Sequence, residues 1–114
     1  MSETKERERE LALARQLAEV GELDEAYKLA DKWLSIDPND GPMLTVLTSV
    51  MIQSEKKPIA YHLSRKLCEV APNNASSWIN LGQVAHSLWL IGEAKRAYKH
   101  ASRLQTTARQ KSMI

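Results

Sequence analysis

Trp78-Ile79-Asn80-Leu81-Gly82-Gln83-Val84-Ala85 and, nine residues on, Ala94-Lys95-Arg96-Ala97-Tyr98 decide the reading of this chain. Trp78 and Leu81 share a helix face, and so do Ala94, Ala97 and Tyr98, because residues three or four apart are neighbours on a helix. Moving outward by 34 residues finds the same columns again: Ala26, Ala60 and Ala94; Leu13, Leu47 and Leu81; Ile36, Val70 and Leu104; Leu17, Met51 and Ala85; and the paired Pro38 and Pro72. Several columns at one offset mark an internal repeat, which fixes the fold before any local detail.

Each copy reads as two helices. Leu13, Leu17 and Val20 recur at helical spacing, as do Leu44, Leu47 and Met51; second halves follow with Ala26, Leu29, Ala30 and Trp33, then Leu63, Leu67 and Val70. Gly21 reads as a helix-ending glycine. Pro58 suits a first turn, where its missing N–H costs nothing. Asp37-Pro38-Asn39-Asp40 and Ala71-Pro72-Asn73-Asn74 are breakers followed by capping residues. The expected helices span about 4–19, 23–35, 42–54, 58–70, 75–88 and 92–108. A plain bundle would share the apolar periodicity but has no need of a 34-residue register.

Trp78-x2-Leu81-Gly82 followed by Ala94-x3-Tyr98 resembles the tetratricopeptide repeat pattern, as does Gly21-Glu22-Leu23-Asp24-Glu25-Ala26 with its closing Asp37-Pro38-Asn39. The resemblance implies an all-α, right-handed α-solenoid of three helix-turn-helix units, about 7–40, 41–74 and 75–108, within one domain covering 1–114, with 109–114 as a basic tail. Some positions depart from the pattern. Glu10 and Leu44 stand where the third unit has Trp78, and Thr106 stands where the others have proline. Glu55 and Trp89 replace the glycine of Gly21. Small residues at Ala14, Gly82, Ala26, Ala60 and Ala94 let helices approach closely, with Leu17, Met51 and Tyr98 filling the space beside them.

The resemblance places the first helices of successive units along a concave groove. Its expected lining is Leu11, Ala12, Arg15, Thr45, Val46, Ser49, Ile52, Ile79, Asn80, Gln83 and His86. It also implies that a carboxylate clamp for chaperone tails would occupy Leu11, Arg15, Val46, Ser76 and Asn80. The two lysines and the third-unit arginine of that clamp are absent, so chaperone-tail binding is excluded. The expected role is a protein-binding adaptor for a peptide or partner protein.

Charge suggests a second reading. Residues 1–37 hold 10 acids and 6 bases, net −4, whereas residues 93–114 hold 1 acid and 6 bases, net +5. An acidic front and a basic, uncapped back are suited to a structural subunit of a larger assembly, such as a secretion machine or virion. Head-to-tail self-association is one form of this. Lys95, Arg96, Lys99, Arg103 and the turn residue Trp89 are the end-contact candidates. Nucleic-acid binding through the last helix is disfavoured, because stacking aromatics are not interleaved with its basic residues.

Catalysis finds no constellation. His62, His86 and His100 are not paired at ligand spacing, and one cysteine, Cys68, gives neither a disulfide nor a convergent metal set. Asp24 and Glu25 read as helix-start charges. No phosphate-cradling glycine loop occurs, so no enzyme, cofactor or metal is expected. The longest apolar runs are too short to span a bilayer. The charged N-terminus is no secretory signal, and the expected location is the cytoplasm.

Overall fold

The computed structural model describes residues 2–113, and every regular element among them is helical. Six helices follow in order: α1 (Ser2–Glu19), α2 (Leu23–Ile36), α3 (Gly41–Gln53), α4 (Lys57–Val70), α5 (Ala75–Ser87) and α6 (Ile91–Met113). Consecutive helices pack as hairpins α1–α2, α3–α4 and α5–α6, and each second helix packs on the first helix of the next pair. The result is an all-α solenoid of helix-turn-helix units. Its shortest extent, 24 Å, is about two helix diameters, so the hairpins stack as two layers.

The turn inside each hairpin is the same turn made three times. Glu22 N–H donates to the Leu17 carbonyl at 2.8 Å and Gly21 N–H to Ala18 at 3.2 Å. Lys56 donates to Met51 at 2.9 Å and Glu55 to Ile52 at 3.1 Å, while Leu90 donates to Ala85 at 2.9 Å and Trp89 to His86 at 3.0 Å. This paired bonding closes a helix through one left-handed residue. Gly21, Glu55 and Trp89 have φ of 84°, 59° and 64°. Only the first is a glycine, so the other two carry the Cβ crowding of that region.

The turn between hairpins depends on proline and an acceptor side chain. Asp40 caps α3 by accepting from Met43 N–H, and Asn74 caps α5 by accepting from Ser76 N–H. Pro38 and Pro72 stop α2 and α4. At the corresponding Thr106 nothing stops α6, which runs past the expected end near 108 to Met113. Thr106 and Thr107 instead bond back to Ser102 and Arg103 carbonyls at 3.0 and 2.9 Å. The expected basic tail is therefore helix as far as Met113; Met1 and Ile114 lie outside the described residues.

Small columns set the helix approach. Ala14, Ala26, Ala30 and Ala60 are fully buried, with Met43 and Val50 packed among them in the main core. Cys68, Leu81 and Ala97 form a second cluster, and Tyr61 packs against both. The closest fit is α5 against α6. A Cβ added at Gly82 would lie 2.7 Å from the Tyr98 ring, so this ring occupies the space that glycine leaves.

The second turn of α1 is pinned to the α2–α3 turn. Arg7 donates from Nε and an Nη to the two Asp40 oxygens at 2.8 and 2.6 Å, and Asp40 is buried. These hydrogen bonds hold the Asp40 carboxyl below the ordinary carboxylate range; burial opposes them, and the Met43 N–H and the Arg7 charge add to the lowering.

Three measurements check this account. Gly82→Ala should destabilise the chain by about 1 kcal/mol as Tyr98 is displaced. In a Tyr98→Ala background the same change should turn stabilising by up to about 1 kcal/mol, the ordinary helix preference for alanine. Chemical denaturation of the four proteins reads the sign reversal. Trp89→Gly should raise stability by roughly 0.5–1 kcal/mol, the relief of left-handed strain less the added freedom of the unfolded chain, and Gly21→Ala should lower it by about 1 kcal/mol. Asp40→Asn should cost about 1–3 kcal/mol at neutral pH. Because the folded carboxyl titrates below the unfolded value of about 3.9, that difference is complete above it and vanishes as pH falls through the folded value. Urea curves of both proteins should therefore draw together at acid pH.

Candidate functional site

The first helix of each hairpin offers an accessible stripe. Arg15, Ser49 and Gln83 occupy the same register position of α1, α3 and α5 and are exposed, half-buried and exposed. Beside them lie half-buried Thr45, Ile79 and Asn80, with exposed Ala12, Ile52 and His86. Gln53, which the sequence reading omits, crosses this face: its amide donates to the Ala18 carbonyl at 3.0 Å and to Ser49 Oγ at 3.1 Å, tying α3 to α1.

Two expected groove residues belong elsewhere. Leu11 and Val46 are 8% and 4% exposed and lie in the main core. α3 packs laterally on α1, and both residues join the core cluster shared by these helices. The α3–α5 approach is much slighter than α1–α3. Ile52 thus stays 39% exposed although Ala18, its counterpart one unit earlier, is 4% exposed.

The ends also differ from the charge arithmetic. Glu6 and Glu10 both accept from Lys32 Nζ, at 3.1 and 2.5 Å, and Asp40 is taken by Arg7. The front face of α1 itself shows Lys5, Glu8 and Arg9, a mixed surface instead of an acidic one. At the back, Lys95, Arg96, Lys99 and Arg103 are all exposed on α6. Lys95 stands in the column of Tyr27 and Tyr61, and Ser102 in that of Leu34 and Cys68. The terminal face of α6 is therefore polar by substitution, which is how a solenoid end is solvated. Trp89 projects at the last hairpin turn, 84% exposed, with Leu90 and Ile91 at 40% and 38%.

A cavity of about 430 Å³ lies between α4, α5 and α6, away from the stripe. Cys68, Leu81, Ala97 and Trp78 form its floor. Trp78 is fixed by its indole N–H, which donates to the Pro72 carbonyl at 2.8 Å, and by His100, whose ring centroid is 4.2 Å away. Tyr61 donates its hydroxyl to Glu93 at 2.6 Å, bridging α4 to α6, and this bond raises the Tyr61 pKa. Burial pushes the Cys68 thiol up to about 11, helped by the Glu69 charge, which leaves it protonated and inert at neutral pH. The cavity escapes a sequence reading because its walls come from three helices and the floor residues look like ordinary core.

Among the described residues no group of His, Cys, Asp and Glu could hold a metal, and no helix is long and apolar enough to cross a membrane.

No family model matches the chain. Protein NPGR1 of Arabidopsis thaliana is 31% identical to it over 83 residues, which is 71% of this chain and 12% of that protein. A solved structure of MamA (AMB-1) superposes with a TM-score of 0.72 at 27% identity, covering 85% of this chain and 53% of that one. The chain thus spans about half of the MamA chain and a small part of the plant protein. MamA contains tetratricopeptide repeats, and this chain has the same kind of fold: a tetratricopeptide-like stack of helical hairpins.

Proposed function

We propose that the chain is a non-enzymatic protein–protein interaction module that works as one domain and holds a peptide or partner protein on the face made by α1, α3 and α5. The observation that carries this reading is the register of Arg15, Ser49 and Gln83, one accessible position repeated on three first helices. Around it the face is mixed. Ile52 and Ile79 supply apolar area, while Thr45, Asn80 and His86 supply hydrogen-bonding groups. Arg15 is the one cation in this set, so recognition depends on shape and uncharged polar contacts more than on ion pairing. Three units bury a small area, and modest affinity per site follows unless sites are linked. Leu11 and Val46 support the face from beneath.

A second reading, an assembly subunit contacting neighbours through α6 and Trp89, is favoured by the exposure of Lys95, Arg96, Lys99 and Arg103 along one helix. Glu6 and Glu10 of the front are already held by Lys32, so a head-to-tail partner would meet the other acids of that segment.

A photo-crosslinking residue placed at Ser49 or Gln83 should capture a partner in the source cell, and one at Lys99 or Trp89 should not. Ile52→Asp, at an already exposed position, should reduce that capture at least tenfold while leaving helicity unchanged. Capture from Lys99 and Trp89 alone would overturn the groove reading in favour of the assembly one.

A further inference from the structure

We propose that residues 2–10 of α1 are a charge-held latch that opens independently of the rest of the stack and, in opening, uncovers Trp33. The stretch reads Ser-Glu-Thr-Lys-Glu-Arg-Glu-Arg-Glu and holds no apolar residue. None of residues 3–10 is buried, and only Arg7 and Glu10 are half-buried. The apolar anchors of α1 begin after it: Leu11, Ala14 and Ala18 lie in the main core. One continuous helix is therefore held by two different forces. Apolar burial fixes its second half, whereas the first half rests on two charged partners, Lys32 and Asp40.

Lys32 and Glu6 are exposed, so the hold of Lys32 on Glu6 and Glu10 is weak and open to screening by salt. Arg7 makes the firmer contact, its fork closing on both oxygens of buried Asp40. Water still reaches the Arg7 side chain, which is 30% exposed. Glu3, Thr4 and Arg7 of the latch line a cavity of about 190 Å³ together with Trp33 and Ile36 of α2. Trp33 is buried there, and its indole N–H has no acceptor among the described residues. Lys32 Nζ lies 5.0 Å from the Trp33 ring centroid, so the cation that holds the two acids also sits over the indole. When the latch opens, the Trp33 N–H gains water as a partner, which offsets part of the loss of the ion pairs. The front of the stack thus has a closed state and an open one. The open state adds Trp33 to the already exposed Ile36 as apolar surface, and ionic strength sets the balance between the two.

The test is hydrogen exchange of amides and indoles, read by NMR on the full chain at about 20 and about 500 mM sodium chloride, where the screening length is roughly 20 and roughly 4 Å. The amides of residues 7–10, bonded inside the helix to carbonyls four residues earlier, should exchange at least about threefold faster at high salt. Those of residues 14–18 should change by less than about 1.5-fold. The Trp33 indole N–H should speed up in step with residues 7–10, whereas that of Trp78, bonded to the Pro72 carbonyl, should not. Lys32→Gln should open the latch at low salt, speeding residues 7–10 at least about threefold and removing most of their salt response. Lys28→Gln makes the same charge change at an exposed position of α2 that has no salt bridge among the described residues, and should have less than about 1.5-fold effect. No salt response, or one shared equally by residues 7–10 and 14–18, would overturn the proposal. So would a Trp33 N–H that stays protected while residues 7–10 exchange. Equal behaviour of Lys32→Gln and Lys28→Gln would also overturn it, in favour of ordinary fraying of a helix end.

Discussion

The architecture depends on one backbone requirement: a residue at positive φ at the end of α1, α3 and α5. There the chain leaves the helix, closes two hydrogen bonds and starts the antiparallel return within a few residues. Because the connection is so short, its geometry fixes how the two helices of a hairpin face each other. Small residues such as Ala26, Ala60 and Ala94 then meet the preceding helix at the same height in every unit. A tetratricopeptide-like stack follows from repeating that turn at a constant interval. The interval of 34 residues is set by two helix lengths and two stops, one a left-handed residue and the other a proline with its capping neighbour. The second stop is absent at Thr106, and there the repetition ends in a long helix.

Repetition in backbone does not mean repetition in side-chain environment, because each unit has different neighbours. Columns that are apolar where a helix is covered turn polar at the ends. Met43 and Val50 are buried in α3, and the matching Arg9 and Gln16 are exposed on α1. At the other end Lys95 and Ser102 replace Tyr61 and Cys68. A one-dimensional stack is stabilised by contacts between neighbours, so only its ends must be made compatible with water. The middle hairpin, covered on both sides, holds the largest share of fully buried side chains, with Met43, Thr48 and Ser64 among them.

Much of this was legible in the residues. The 34-residue columns reveal six helices and the capping segments around Asp40 and Asn74, since each rests on local chemistry repeated in register; Glu55 and Trp89 read only as departures from the glycine column, and the structure makes them left-handed. The tight fit of Tyr98 over Gly82 was legible too, because a glycine inside a helix opposite a large residue signals a close approach. What escaped depends on lateral angles between units. No sequence spacing reports that α3 lies closer to α1 than to α5, and that difference is what buries Leu11 and Val46 yet leaves Ile52 accessible. Net charge per segment was equally blind to pairing. It counted Glu6 and Glu10 among the acids of the front without showing that Lys32 holds both.

The same lateral geometry explains why so small a chain has two distinct surfaces. Among the first helices α1 and α3 pack side by side, and the accessible residues of α1, α3 and α5 carry little charge. The second helices α2 and α4 each rest between two first helices. Gaps in that outer layer are floored by core residues and rimmed by whatever the second helices carry. The outer rim is free to vary in charge without disturbing packing: Asp31 and Arg65 are both exposed at one column position. The backbone turn thus fixes the stack, while the side chains on its outer positions are left to differ from unit to unit.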